Sequence, residues 1–148
     1  MRKQVIMGIG CAILILGSPL LIVAEEITHV AESSKDQTSV SSAQAWLAMV
    51  DKGQYDQSWE TASSYFKSMV TKEQWVSQVA AVRKPIGNFI SRDLKMNQYE
   101  KTMPGAPDGE YYVMSFNAVF ENKASAIETI TVMKDSDGQW RLAGYFIR

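Results

Sequence analysis

Glu110-Tyr111-Tyr112-Val113-Met114-Ser115-Phe116-Asn117-Ala118-Val119-Phe120-Glu121 is the stretch that decides the fold class. Tyr112, Met114, Phe116, Ala118 and Phe120 recur at every second position, the period of a strand with one buried face. Turn chemistry bounds it on both sides, with Pro104-Gly105-Ala106-Pro107-Asp108-Gly109 before it and Asn122-Lys123 after it. Downstream, Ser125 to Lys134 alternates Ile127, Thr129, Thr131 and Met133 against Glu128, Ile130 and Val132. Asp135-Ser136-Asp137-Gly138 then reads as a hairpin loop, and Gln139 to Arg148 as a last strand. Upstream, Asn88 to Lys101 reads as a strand of mixed alternation.

Before Gly87 the period changes from two to 3.6. Ser41-Ser42-Ala43-Gln44 has the Ser-x-x-Gln pattern of a capping box, which predicts a helix beginning just after Ser41. Ala43, Trp46, Leu47 and Val50 fall at i, i+3, i+4 and i+7, and Gly53 ends the stretch. Tyr55 to Ser63 predicts a second helix, with Trp59, Ala62 and Phe66 at helical spacing. Thr71-Lys72-Glu73-Gln74 is another capping box and opens a third helix carrying Trp75, Val79 and Val82, which ends near Pro85-Ile86-Gly87. Helices first and an antiparallel four-strand meander after them is the order of an α+β domain, here three N-terminal helices on a curved sheet over residues 40–148.

The other end of the chain concerns compartment. Met1-Arg2-Lys3-Gln4 is a short positive region, Val5 to Leu16 is apolar, and Ala24 is a small residue ahead of Glu25-Glu26. Residues 1–24 therefore read as a secretory signal peptide cleaved between Ala24 and Glu25, or as an uncleaved anchor over residues 5–24. Both readings export the rest of the chain, to the periplasm or beyond, and only the second keeps it at a membrane. Cys11 is the single cysteine and lies inside this segment, so the exported part has no disulfide. Residues 25–39 are polar, contain the only histidine, His29, and read as a flexible leader. Loss of Arg2 and Lys3 leaves 13 of the 15 basic residues against 16 acidic ones, an acidic balance that speaks against nucleic acid as a partner.

Several motifs together carry a resemblance. They are Ala45-Trp46-Leu47 with Asp51 and Gly53, then Tyr55 and Ser58-Trp59-Glu60. Lys72-Glu73-Gln74-Trp75 and Val82-Arg83 with Pro85 and Gly87 follow, then Pro104 to Tyr111 and Trp140-Arg141 with Gly144-Tyr145. Over residues 43–148 the chain resembles a domain-of-unknown-function family of small exported bacterial proteins. The resemblance implies a cone similar to the nuclear transport factor two and cystatin-like group, with helices in the concave side of a curved sheet. It brings no established activity and no catalytic residues, and the wider group spans isomerases, binding modules and dimerisation adaptors.

The residues themselves exclude several chemistries. No His, Cys or carboxylate cluster has metal-ligand spacing, so no metal site is expected. The only histidine is in the leader, away from any nucleophile, and no glycine-rich phosphate loop follows a strand, so no cofactor is expected. What remains for catalysis is a carboxylate in a concave apolar pocket, with Asp56, Glu60, Asp93 and Glu128 available. The plainer expectation is that Asp56 supports a helix start, that Glu60 is solvated, and that Asp93 and Glu128 pair with arginines such as Arg92 on the outer sheet face. No catalytic residue is assigned. Trp59, Trp75, Tyr112 and Glu128 are the candidates to line a ligand pocket, and core packing is the competing role for the tryptophans.

The expected function is accordingly an exported, non-enzymatic module that binds a protein partner or a small apolar ligand. The alternatives are a homodimeric structural or adaptor protein, and a carboxylate-based isomerase or dehydratase. A single helical layer covers one sheet face and leaves the other for a second copy or another protein. Strict alternation in the last strand sets Arg141, Ala143, Tyr145 and Ile147 against Trp140, Leu142, Gly144 and Phe146. On that reading the open-face contact centres on Val132, Tyr145 and Ile147.

Overall fold

The computed structural model describes residues 19–148. The basic and apolar parts of the N-terminal segment, with Cys11, lie outside the described residues, so the signal-peptide and anchor readings there stay with the sequence. Four helices precede four strands: α1 Pro19–Asp51, α2 Tyr55–Glu60, α3 Ser64–Met69, α4 Lys72–Ile86, β1 Phe89–Glu100, β2 Tyr111–Phe120, β3 Lys123–Lys134 and β4 Trp140–Ile147. The strands form one open antiparallel sheet in the order β1-β2-β3-β4, so the chain is an α+β protein.

The expected strand pattern is present. Tyr112, Met114, Phe116, Ala118 and Phe120 are all buried, and pairing sets Met114 opposite Ile130 and Tyr112 opposite Val132 on the same face. The helical stripe of Ala43, Trp46, Leu47 and Val50 packs onto that face, as its spacing predicts. A second, smaller cluster of Ala118, Phe120 and Ala126, joined by Ile86, Phe89 and Ile147, lies further along the same face.

Four expectations are corrected. The predicted second helix is two helices. Ser63 is extended (φ −62°, ψ 157°), its hydroxyl accepts from the Phe66 N–H, and its own N–H donates to Leu142 O. A residue so placed is the start of a new helix, not the continuation of an old one. The three expected helices are therefore four.

The second correction concerns residues 25–39, which are helical rather than a flexible leader, and α1 runs through Ser41 without restarting there. The hydroxyls of Thr38 and Ser39 bond back to carbonyls one turn earlier (Thr38 Oγ1 to Ser34 O and Lys35 O, 3.0 Å; Ser39 Oγ to Asp36 O, 2.9 Å). Back-bonding of this kind lets polar residues sit within a helix. Ser39 is fully buried, and Lys35 pairs with Glu110 at 3.0 Å, so tertiary contacts hold the stretch.

The third correction is in α4. Its stripe runs Trp75, Val79, Arg83 at i, i+4, i+8, while Val82 is 45% exposed. Arg83, rather than Val82, occupies the buried position.

The fourth is the phase of β4. The register steps from Thr131–Gly144 to Val132–Leu142, which leaves Ala143 unpaired as a bulge. One extra residue inverts every side chain beyond it. Trp140, Leu142, Tyr145 and Ile147 therefore share the inner face, while Arg141, Gly144 and Phe146 share the outer one. The expected interface residues Val132, Tyr145 and Ile147 all point toward the helices.

Candidate functional site

Between the two apolar clusters of the inner face sits a buried group of charges. Along β3 the order on that face is Ala126, Glu128, Ile130, and Glu128 is fully buried between the clusters. Its Oε1 accepts from Arg83 Nη1 at 3.0 Å and from the Tyr145 hydroxyl at 2.6 Å, and its Oε2 accepts from Arg92 Nε at 2.5 Å. Asp51, at the end of α1, accepts from Arg83 Nη2 at 2.6 Å and from both terminal nitrogens of Arg92 at 2.9 and 3.1 Å. Two cations and two anions give a neutral group that ties α1, α4, β1, β3 and β4 together. Arg83 stacks over Phe120 at 4.5 Å and Arg92 over Phe89 at 4.3 Å, which suits the weakly hydrated guanidinium.

Electrostatics follow from that geometry. Burial works against the charge on both arginines. Tyr145 and Asp51 outweigh it at Arg83, and Asp51 and Glu128 outweigh it at Arg92, so both guanidinium groups stay above their ordinary range. Burial, reinforced by the neighbouring Glu128 carboxylate, pushes the Tyr145 phenol up. Three hydrogen bonds engage both oxygens of Glu128, and the side chain is sealed from solvent. Asp51 and Arg83 of this group line a cleft of about 280 Å³, together with Lys52, Tyr55, Lys84 and Asn88.

The four candidate pocket residues are not gathered around one cavity. Trp75 is core, its Nε1 donating to Ser58 Oγ at 2.9 Å and its ring meeting Trp46, Phe66 and Tyr145. Trp59 is half-buried, donates to Val70 O at 2.8 Å and lies beneath the ammonium groups of Lys67 and Lys72. Tyr112 is buried between Tyr99 and Trp140. Glu128 lies on the inner face, which corrects the expectation that it pairs on the outer one. Asp93 is exposed on the outer face of β1, Asp56 is exposed in the first turn of α2, and Glu60 pairs with Lys72 at 2.7 Å. Two further clefts, about 610 and 280 Å³, flank α1 near residues 28–42; their linings mix polar and apolar surface, and Tyr112 and Tyr99 line the smaller one.

Arg83 and Arg92 escape a reading for catalytic or metal chemistry because their partners are 32 to 45 residues away in sequence. One signal exists for Arg83, which falls where the apolar stripe of α4 demands a buried residue.

Among the described residues, no helix packs on the opposite face of the sheet. That face carries Val113, Ser115, Asn117 and Val119 from β2, Ile127, Thr129, Thr131 and Met133 from β3, and Phe146 from β4, with the charged Asp93 of β1 and Arg141 of β4 on the same face. Phe146 is 59% exposed. The loop between β1 and β2 folds over one end, where the Tyr111 hydroxyl donates to Pro107 O and that of Tyr65 to Gly105 O.

With the layout of both faces in hand, comparison adds one finding. Residues 42–145 match the family described as protein of unknown function DUF4019. The chain belongs to the DUF4019 family. No curated protein and no solved structure matches it. The Asp51–Arg83–Arg92–Glu128–Tyr145 group lies wholly within the matched DUF4019 residues, whereas the first 23 described residues of α1 lie before them.

Proposed function

We propose that this DUF4019 protein is an exported, non-enzymatic module that binds a protein through the helix-free face of its sheet, and that the protein bound there is a second copy of itself. The observation that carries the proposal is the uncharged middle of the outer face, along β2 and β3 and at Phe146, with the charged Asp93 of β1 and Arg141 of β4 beside it. Four strands about 4.8 Å apart, with some ten residues each rising about 3.4 Å, present on the order of 600 Å². A stable complex buries about 800 Å² per partner, so the face and its margins are large enough. A single patch that meets its own image closes a two-fold dimer. Helices confined to one side of one antiparallel sheet support kinship with the nuclear transport factor two and cystatin-like cones. The sealed Glu128 weighs against the isomerase or dehydratase reading.

Sedimentation of the exported form at tens of micromolar tests this. The expected result is a dimer that Phe146→Glu dissociates, while Val132→Glu, which buries a charge in the core, unfolds the chain instead. A wild-type monomer at every concentration, or a dimer indifferent to Phe146→Glu, overturns the assignment. Export itself is checked by the intact mass of protein recovered from the cell envelope, expected to begin at Glu25; a mass that retains residues 1–24 establishes the anchor.

A further inference from the structure

The first half of α1 is held differently from the second. Residues 43–50 dock through the apolar stripe, but residues 28–39 dock through polar groups. Lys35 reaches Glu110, which also pairs with Lys134 at 2.9 Å, and Asp36 lies near the Tyr112 hydroxyl. Beneath this segment lies a row of three rings, Tyr99, Tyr112 and Trp140, with centroids 5.2 and 5.1 Å apart. Open clefts of about 610 and 280 Å³ run along its two sides. The bar rests on an aromatic row with open space on both flanks and an ion pair for fastening, and its burial is greatest at the C-terminal end, at Ser39 and Val40.

The sequence meanwhile encodes a second place for this helix to begin. Ser41 and Gln44 form a capping-box pattern in the middle of α1, idle while the helix runs through it. The preceding turns are built of Ser33, Ser34, Thr38 and Ser39, residues of modest helix propensity that favour caps over interiors. We infer that residues 28–40 form a releasable arm, and that α1 has two states, a docked through-helix and a short helix that starts at the Ser41 cap with the arm detached. The cap satisfies N–H groups that detachment would otherwise orphan, and so lowers the cost of the second state. Release uncovers the ring row and leaves Glu110 with Lys134 and the Tyr99 hydroxyl.

Amide hydrogen exchange on the full chain tests the two-state helix. The amides of residues 28–41 are expected to exchange as one cooperative block, at least about tenfold faster than those of residues 45–51, with the boundary at Ser41 and the Gln44 N–H on the protected side. Lys35→Glu, which turns the fastening to Glu110 into repulsion, should speed that block by a further factor of about ten and leave residues 45–51 unchanged. A smooth gradient of exchange from the N-terminus, which is ordinary fraying, overturns the inference. So does equal protection across Ser41, or a Lys35→Glu variant that speeds both halves alike.

Discussion

Glu128 and Glu110 each sit between two cations, and the two arrangements have opposite consequences. Glu128 is fully buried and is gripped by Arg83 and Arg92, whose planar guanidinium groups also reach Asp51 and stack on Phe120 and Phe89. Glu110 has 29% of its side chain exposed and is met by Lys35 and Lys134, flexible ammonium groups that also face water. Pairing is similar in number and distance, so burial makes the difference. Removal of a partner from the buried group leaves an uncompensated charge away from water, whereas around Glu110 water replaces what is lost. The first group is a rivet between helices and sheet, the second a latch.

The largest expected effect follows at the rivet. Glu128→Ala leaves Arg83 and Arg92 facing a cavity and should cost about 3–5 kcal/mol, read from urea unfolding. That equals or exceeds Met114→Ala in the neighbouring apolar core, expected at about 2–5 kcal/mol. The double variant Arg83→Met with Glu128→Leu removes one charge of each sign and should recover part of the loss, since apolar groups of similar volume often replace buried ions well. A Glu128→Ala protein within about 1 kcal/mol of the wild type would equate the two glutamates and dissolve the distinction.

The contrast also separates what the sequence makes legible from what it hides. Tyr112 to Phe120 and the stripe from Ala43 to Val50 are readable because apolar burial leaves a period, and a period survives without knowledge of any partner. The Thr71–Gln74 capping box is readable because both of its bonds are local, and both form. The rivet is hidden because its ion pairs join α1, α4, β1 and β3, and ion pairs leave no period. The docking of residues 28–39 is hidden for the same reason, since its fastening is the Lys35–Glu110 pair rather than a stripe. The bulge at Ala143 is hidden because an inserted residue carries no mark of its own, and it alone moved Tyr145 and Ile147 from the outer face to the inner one. Sequence reading thus located the layers and missed the contacts that lock them.

A middle-sized effect is expected at the junction that brings the two arginines together. Gly87 ends α4, four residues after Arg83 and five before Arg92, with φ at +78°. A Cβ there would sit 2.9 Å from the Glu121 Cβ, and Glu121 is fixed by bonds to the Asn88 N–H and side-chain amide. Gly87→Ala therefore meets both an unfavourable backbone region and an occupied space, and should cost about 1–3 kcal/mol. Asp51 contacts both arginines and would report a shifted junction. Gly53→Ala, at φ +72° with open space around it, isolates the backbone part and should cost less. Equal losses at the two glycines would mean that the crowding at Glu121 relaxes freely and the junction does not fix the arginines.

The smallest effect belongs to the latch, and pH reads it. Lys134 first and Lys35 second hold the Glu110 carboxyl down at about 2, well below its ordinary value of 4.5. A carboxyl depressed by folding stabilises the native state fully above its unfolded pKa, and that contribution fades as pH falls toward the folded one, because the unfolded chain takes up the proton first. The window therefore runs from about pH 4.5 down to about pH 2. Solvent around the lysines reduces the gain to about 1 kcal/mol at neutral pH. Glu110→Gln should be less stable than the wild type by that amount at pH 7, and the two should converge by about pH 2, since the neutral amide gains nothing from the lysines at any pH. Asp137, held at about 2 by Arg141, titrates in both proteins and cancels from the difference. Urea midpoints at pH 7, 5, 4 and 3 decide the matter. A gap that stays constant to pH 3 would mean that Glu110 acts through packing, and the latch would then be a second rivet.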